Sequence, residues 1–353
     1  MQWKFDRLPN PAAVVLAFVV NAVLAGRAAA HVKWFCAYDV AGAPRGLENV
    51  LCPDFELLLG LAVVALLVGC FVERTYVGDA MTRALDRVTA VVCDNTEMMF
   101  RIGVGAFFLA LWVLGGILLT PELKTNSPAI SWLQFGIAAG MISRRTMPLS
   151  ALGIWFLFLT AVMQYGAFHL ADYPVFLGVA TYLALTGLQR DFFGVRPLDL
   201  VRYTASATLM WASIEKWAYP EWSFPLLAQR PAIMLGYDAE FFMRAAGVIE
   251  FTLAFALLWT PLVRRAAAAM LAAMFIGAIF EFGKIDAIGH SPIIIALLAF
   301  VADNAKAEAT AQHPLVTEIQ RPWFAPVGLC LAMAAFLTLY YVSHVALFGA
   351  KVV

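Results

Sequence analysis

Apolar residues run along this chain in long stretches ended by short charged clusters, a pattern that predicts helices crossing a membrane. The stretches at 11–25, 55–72, 102–120, 129–143, 149–168, 174–188, 198–217, 241–262, 267–285, 291–303 and 325–347 predict about eleven spans. Those at 129–143, 174–188 and 291–303 are shorter than the ~20 residues that cross a bilayer directly, so their ends are the least fixed. One segment has a different rhythm. Met81, Leu85, Val88 and Val92 recur at helical spacing with Arg83, Asp86 and Arg87 opposite, which predicts a helix over 77–95 lying on the membrane surface.

Composition narrows the class. At 62% hydrophobic, 14% charged and mean hydropathy +0.80, a 353-residue chain has too little polar surface to coat a soluble globule. The expected fold is all-α, a polytopic helical bundle integral to the lipid bilayer. A formal charge of zero gives no overall basic field and no argument for nucleic acid. Placement of Lys and Arg then sets direction. With about eleven spans and a cytoplasmic N-terminus, the connections holding Arg74/Arg83/Arg87, Arg144/Arg145, Arg190/Arg196, Arg264/Arg265 and Lys306/Arg321 all face the cytoplasm, as the positive-inside rule requires.

The first apolar run has two readings, because Ala28-Ala29-Ala30 before His31 also fits a signal-peptide cleavage site. An uncleaved first helix, orienting the spans that follow, is the expectation. An outer loop over 31–54 comes next and holds Cys36 and Cys52, whereas Cys70, Cys93 and Cys330 lie at or near the inner face. A structural disulfide between Cys36 and Cys52 is expected on the oxidising side, worth roughly 3 kcal/mol to the loop.

Charges inside spans are costly and mark candidate function. Glu215 and Lys216 end one span, Glu250 lies inside the next, and Glu281 and Lys284 share a helical face near the end of the third, with His290 just beyond. All are expected on the outer side, with Lys284 in reach of Glu281 and of Glu250. Together they predict a polar cluster beneath an aromatic lid of Trp217, Tyr219, Trp222 and Phe224. Pro220, Pro225 and Pro231 break the helix in the 217–240 loop, which is expected to re-enter the outer leaflet or to form an interfacial belt.

This arrangement over 198–303, with Glu-Lys ending its first helix, an aromatic-proline loop, a Glu in the next helix and Glu-x-x-Lys in the third, resembles the DoxX-like family of small bacterial membrane proteins. The resemblance implies a four-helix bundle within a bacterial inner membrane and, for some relatives, quinone-linked oxidation of sulfur compounds. On this division, 1–197 is an N-terminal transmembrane region and 304–353 an inner loop with a last transmembrane helix.

Nucleotide loops, zinc-protease helices and nucleophile elbows are absent from the sequence. His31, His169 and His290 are the candidates for an alternative metal site: cleavage after Ala30 would leave His31 as an N-terminal copper chelator, and histidines near span ends suit haem or copper. Three functions follow. One is a redox-associated membrane component binding a quinone or similar lipophilic carrier, with Glu215, Glu250 or Glu281 moving protons and Lys216 or Lys284 stabilising an anion. The others are a proton-coupled transporter of a small solute and a non-catalytic subunit docking a periplasmic or membrane redox partner.

Overall fold

The computed structural model describes residues 32–190, 192–304 and 322–349. The first apolar run, His31 and most of the 304–321 loop therefore lie outside the described residues. Eleven long helices make up the rest: α1 (Pro53–Glu73), α2 (Tyr76–Asp94), α3 (Thr96–Leu114), α4 (Pro128–Gly140), α5 (Met147–Tyr165), α6 (Pro174–Leu188), α7 (Pro197–Ala218), α8 (Ala239–Ala256), α9 (Pro261–Phe282), α10 (Lys284–Ala302) and α11 (Phe324–Phe348). Prolines at the first turn begin many of them, where a missing N–H costs nothing.

Among the described residues six helices are long and apolar enough to cross a membrane: α1, α3, α5 with the turn before it, α9, α10 and α11. The protein is therefore a helical membrane protein. The other helices on predicted spans depart from the pattern for physical reasons. α4 and α6, with 13 and 15 residues, extend only ~20–22 Å at ~1.5 Å per residue. α7 and α8 carry buried charges. One continuous core runs from Val50 to Tyr341 and joins residues on both sides of 197/198.

The helices gather their charges at two opposite ends. At the arginine end, Arg264 and Arg265 are wholly buried. Arg264 lies 3.6 Å from Asp303, which also binds Arg196 at 3.0 Å, and Arg202 meets Asp199 at 3.0 Å. Arg265 donates to Asp86 at 2.5 Å, to Thr89 and to the Val301 carbonyl. These bonds hold α2 against the bundle through Asp86 and Thr89. Val77, Met81, Val88 and Val91 are left exposed, the side that suits lipid in an interfacial helix.

At the other end, the lid end, the sequence expectations change most. Helix α3 stops at Gly115 instead of reaching residue 120, and the chain folds into a hairpin pairing Ile117 with Lys124. Leu118, Leu119 and Leu123 are fully buried, and Gln134 of α4, itself buried, donates to the Ile117 and Leu118 carbonyls at 2.7 and 3.1 Å. Non-helical backbone at membrane depth requires such partners. The 31–54 segment is likewise no free outer loop. It tucks a 3-10 turn, Val32–Trp34, into the bundle. Gly289 makes room for it, since a Cβ there would lie 2.0 Å from the Trp34 ring.

The 217–240 stretch forms three short helices, Pro220–Trp222, Phe224–Gln229 and Pro231–Met234. Phe224, Leu227 and Ile233 pack with Phe242 and Met243 in a small second core, so most of the stretch is a packed cap.

Candidate functional site

The centre of the lid end is Lys33, which sequence reasoning left in a polar loop. Its side chain has no solvent exposure and forms ion pairs with Asp172 and with Glu215, the latter at 2.7 Å. The ammonium also lies 5.6 Å from the ring centres of both Tyr38 and Trp222, within cation–π range. Burial alone would lower its pKa, but the two carboxylates outweigh that and hold it above the ordinary lysine value. Beside it, burial and then the negative charge of Glu122 push the Tyr38 hydroxyl up to about 12.

A second pair lies beside the first. Lys216 meets Glu250 at 3.0 Å, with the glutamate side chain almost fully buried. Facing them across a cavity of about 60 Å³ are Asp172, Tyr173, Trp34 and His290. His290 lies between the rings of Trp34 and Phe275, each 4.6 Å away, and its Nδ1 is 3.0 Å from Asp286. Glu122, carried in by the buried hairpin, accepts from the Tyr173 hydroxyl and lies 3.6 Å from His169.

Of the sequence-predicted site residues, Glu215, Lys216, Glu250 and His290 are thus brought to adjoining cavities. Glu281 and Lys284 are not. Gly283, at φ 77°, ends α9 and starts α10, so the two do not share a continuous helical face. Glu281 binds Arg230 at 2.5 Å at the rim, Lys284 is exposed, and Glu250 is taken by Lys216. The aromatic lid also divides. Tyr219 and Trp222 stack 4.2 Å apart at 7° over the Lys33 cage, whereas Trp217 is buried against Phe55 and Phe251, and Phe224 belongs to the cap.

Cys36 and Cys52 are both free thiols, not a disulfide. Cys36 continues the 3-10 turn, where burial raises its pKa, and Cys52 lines an outer vestibule. The segment between them is held without a covalent clip. Arg45 donates to Glu221 at 2.6 Å and to Glu240 at 2.8 Å, while its backbone carbonyl accepts from Tyr341 at 2.6 Å. The Tyr219 hydroxyl donates to the Gly42 carbonyl at 2.9 Å and lies 3.1 Å from His344 Nε2. As alternative metal ligands, His169 and His290 each pair with one carboxylate, and no group of three or more His, Cys, Asp or Glu able to hold a metal occurs among the described residues.

The Arg45 latch predicts a pH dependence. Hydrogen bonds from Arg45 hold the Glu240 carboxyl below its ordinary value, so the latch's contribution to stability is whole above the unfolded carboxylate pKa and disappears as pH falls through the lower folded one. Glu240→Gln is expected to lower the thermal midpoint at neutral pH and to converge with the wild type in acid. A constant difference across that range would reject the latch.

Asp172, Glu122 and Lys33 had a weak sequence signal: each is a charge within about three residues of Pro or Trp, in a short segment between apolar stretches. Compared with family models, curated proteins and solved structures, the chain matches none.

Proposed function

We propose that this protein takes a small polar solute into the lid-end cavity and exchanges protons with it across a bacterial inner membrane. In this reading the chain has about eleven spans and a cytoplasmic N-terminus. The gathering of Arg101, Arg144, Arg196, Arg202, Arg264 and Arg265 by shared contacts at one end supports a cytoplasmic arginine end and an outward lid end.

One observation carries the function: Asp172, Lys216, Glu250 and His290 line the same cavity. Five acids gather around it or in contact with its lining (Glu122, Asp172, Glu215, Glu250 and Asp286) against two lysines, Lys33 and Lys216. Buried carboxylates are costly without compensation, and the imidazoles of His169 and His290 lie beside Glu122 and Asp286. Buried groups of this kind are the parts from which proton relays are built.

The experiment is reconstitution into vesicles containing a pH-sensitive dye, with imposed gradients of ammonium, acetate or a sugar, each read as the rate above that of protein-free vesicles, because ammonia and acetic acid cross lipid unaided. A solute gradient is expected to drive proton movement, and Glu250→Gln, folded as judged by size-exclusion chromatography, is expected to lower it at least about tenfold. Proton movement unchanged in that variant would sink the reading.

A quinone-linked role is the second reading, favoured by the stacked Tyr219–Trp222 pair over a smaller cavity of about 40 Å³ that Glu215 and Lys216 line. Size counts against it in the closed state. A single benzene ring occupies a cavity of roughly 150 Å³, more than twice the larger chamber, so a quinone needs the lid to open. Quinone bound to the protein purified from native membranes would favour this reading.

A further inference from the structure

We infer that the solute is a small ammonium ion with at least three N–H groups, either ammonium itself or a short primary alkylammonium, whose place the Lys33 ammonium occupies in the closed structure. This names the ligand class for the solute reading above and rests on it.

The cage around Lys33 Nζ is built from the groups that select a compact, hydrogen-bonding cation. Two carboxylates, Asp172 and Glu215, accept from the ammonium, and two ring faces, Tyr38 and Trp222, approach it at 5.6 Å. The occupant arrives on a 3-10 turn of only three residues from the lid end, so the cage is filled by a tether and not by a helix of the bundle. Withdrawal of that tether removes the ammonium from which Asp172 and Glu215 accept. A free ammonium restores the lost charge and its hydrogen bonds one for one; an anion or a neutral sugar does neither.

The cavities supply the route. An open vestibule of about 660 Å³, lined by Asp39, Glu48 and Glu221 with Arg45 and Arg244, is walled by Tyr219 and Trp222. The same two rings wall the 40 Å³ cavity, which shares Ala212 and Lys216 with the 60 Å³ cavity holding Glu250 and His290. The stacked rings and the Lys33 arm stand between the vestibule and the buried acids.

Cys36, three residues beyond Lys33, reports the arm. The test uses full-length protein in lipid nanodiscs with Cys52, Cys93 and Cys330 replaced by Ser, leaving the buried Cys70 in place. The readout is the rate at which a membrane-impermeant maleimide labels Cys36, at neutral pH and constant ionic strength. Methylammonium chloride is expected to speed labelling about tenfold over sodium chloride by favouring the withdrawn arm. Tetramethylammonium, which has no N–H to donate, is expected to leave the rate unchanged. Lys33→Met is expected to label at the fast rate without amine; should that variant not fold, the methylammonium comparison decides alone.

Equal rates in methylammonium and sodium overturn the inference, as does equal acceleration by tetramethylammonium, and slow labelling of a folded Lys33→Met protein rules out Lys33 as the tether. Proton movement driven in vesicles by acetate or sugar, with labelling indifferent to amines, would leave the solute reading standing and remove only the ammonium. Loss of both would remove both.

Discussion

Lys33→Met is expected to cost the protein about 3–5 kcal/mol, measured as resistance to unfolding in detergent. Such a loss follows from leaving buried carboxylates without their cation, and it exceeds the sum of the contacts removed. The pairing geometry decides this: the Lys33 side chain is wholly buried, and so is the Asp172 carboxylate. Adding Asp172→Asn and Glu215→Gln to Lys33→Met is expected to recover much of the loss, because neutral side chains no longer demand a counter-charge. The pH profile supplies a separate check. Since the folded ammonium titrates above its ordinary value, its contribution is whole below the unfolded lysine pKa of about 10.4 and is lost only as pH rises through the folded value. The gap between wild type and Lys33→Met should therefore stay level from neutral pH to about pH 10. A loss under about 1 kcal/mol, the scale of an exposed pair, would contradict the buried geometry.

Arg265→Met is expected to have an effect of similar size at the opposite end, again about 3–5 kcal/mol, but with a different signature. Arg265 is the fastening of α2: its guanidinium reaches Asp86 and Thr89 on that helix and the Val301 carbonyl at the end of α10. Methionine fills the volume and offers no donor. Amide hydrogen exchange over 76–94 should rise while α9 and α10 stay protected. Arg83→Ala, on the same helix at an exposed position, should change stability by no more than about 0.5 kcal/mol. Unaltered exchange over α2 in the Arg265 variant would show that its lipid-facing side alone holds it in place.

How far the architecture was readable follows from the kinds of signal involved. Long apolar runs and their basic ends are local in sequence, and helices occupy each predicted stretch after residue 31. Glu215, Lys216, Glu250 and His290 were visible because a charge stands out in an apolar helix. Lys33 and Glu122 were not, because each lies in a segment whose composition resembles any loop; only the tertiary fold turns those segments inward. The predicted 102–120 span ran through Gly115-Gly116, where the helix ends, and a glycine pair does not say whether the chain leaves the bundle or doubles back into it. The Glu281 and Lys284 expectation failed on one residue, Gly283, whose positive φ ends one helix and begins another. The Cys36–Cys52 expectation relied on compartment and spacing, and neither encodes the Arg45 contacts that hold the segment instead.

The clasp on Arg45 has a consequence for biogenesis. Its anchors come from Ala218, Glu221, Glu240 and Tyr341, so Arg45 finds its last partner more than 290 residues later in the chain. Translation runs from the N-terminus. The clasp is accordingly completed only after α11 has been made and has joined the others.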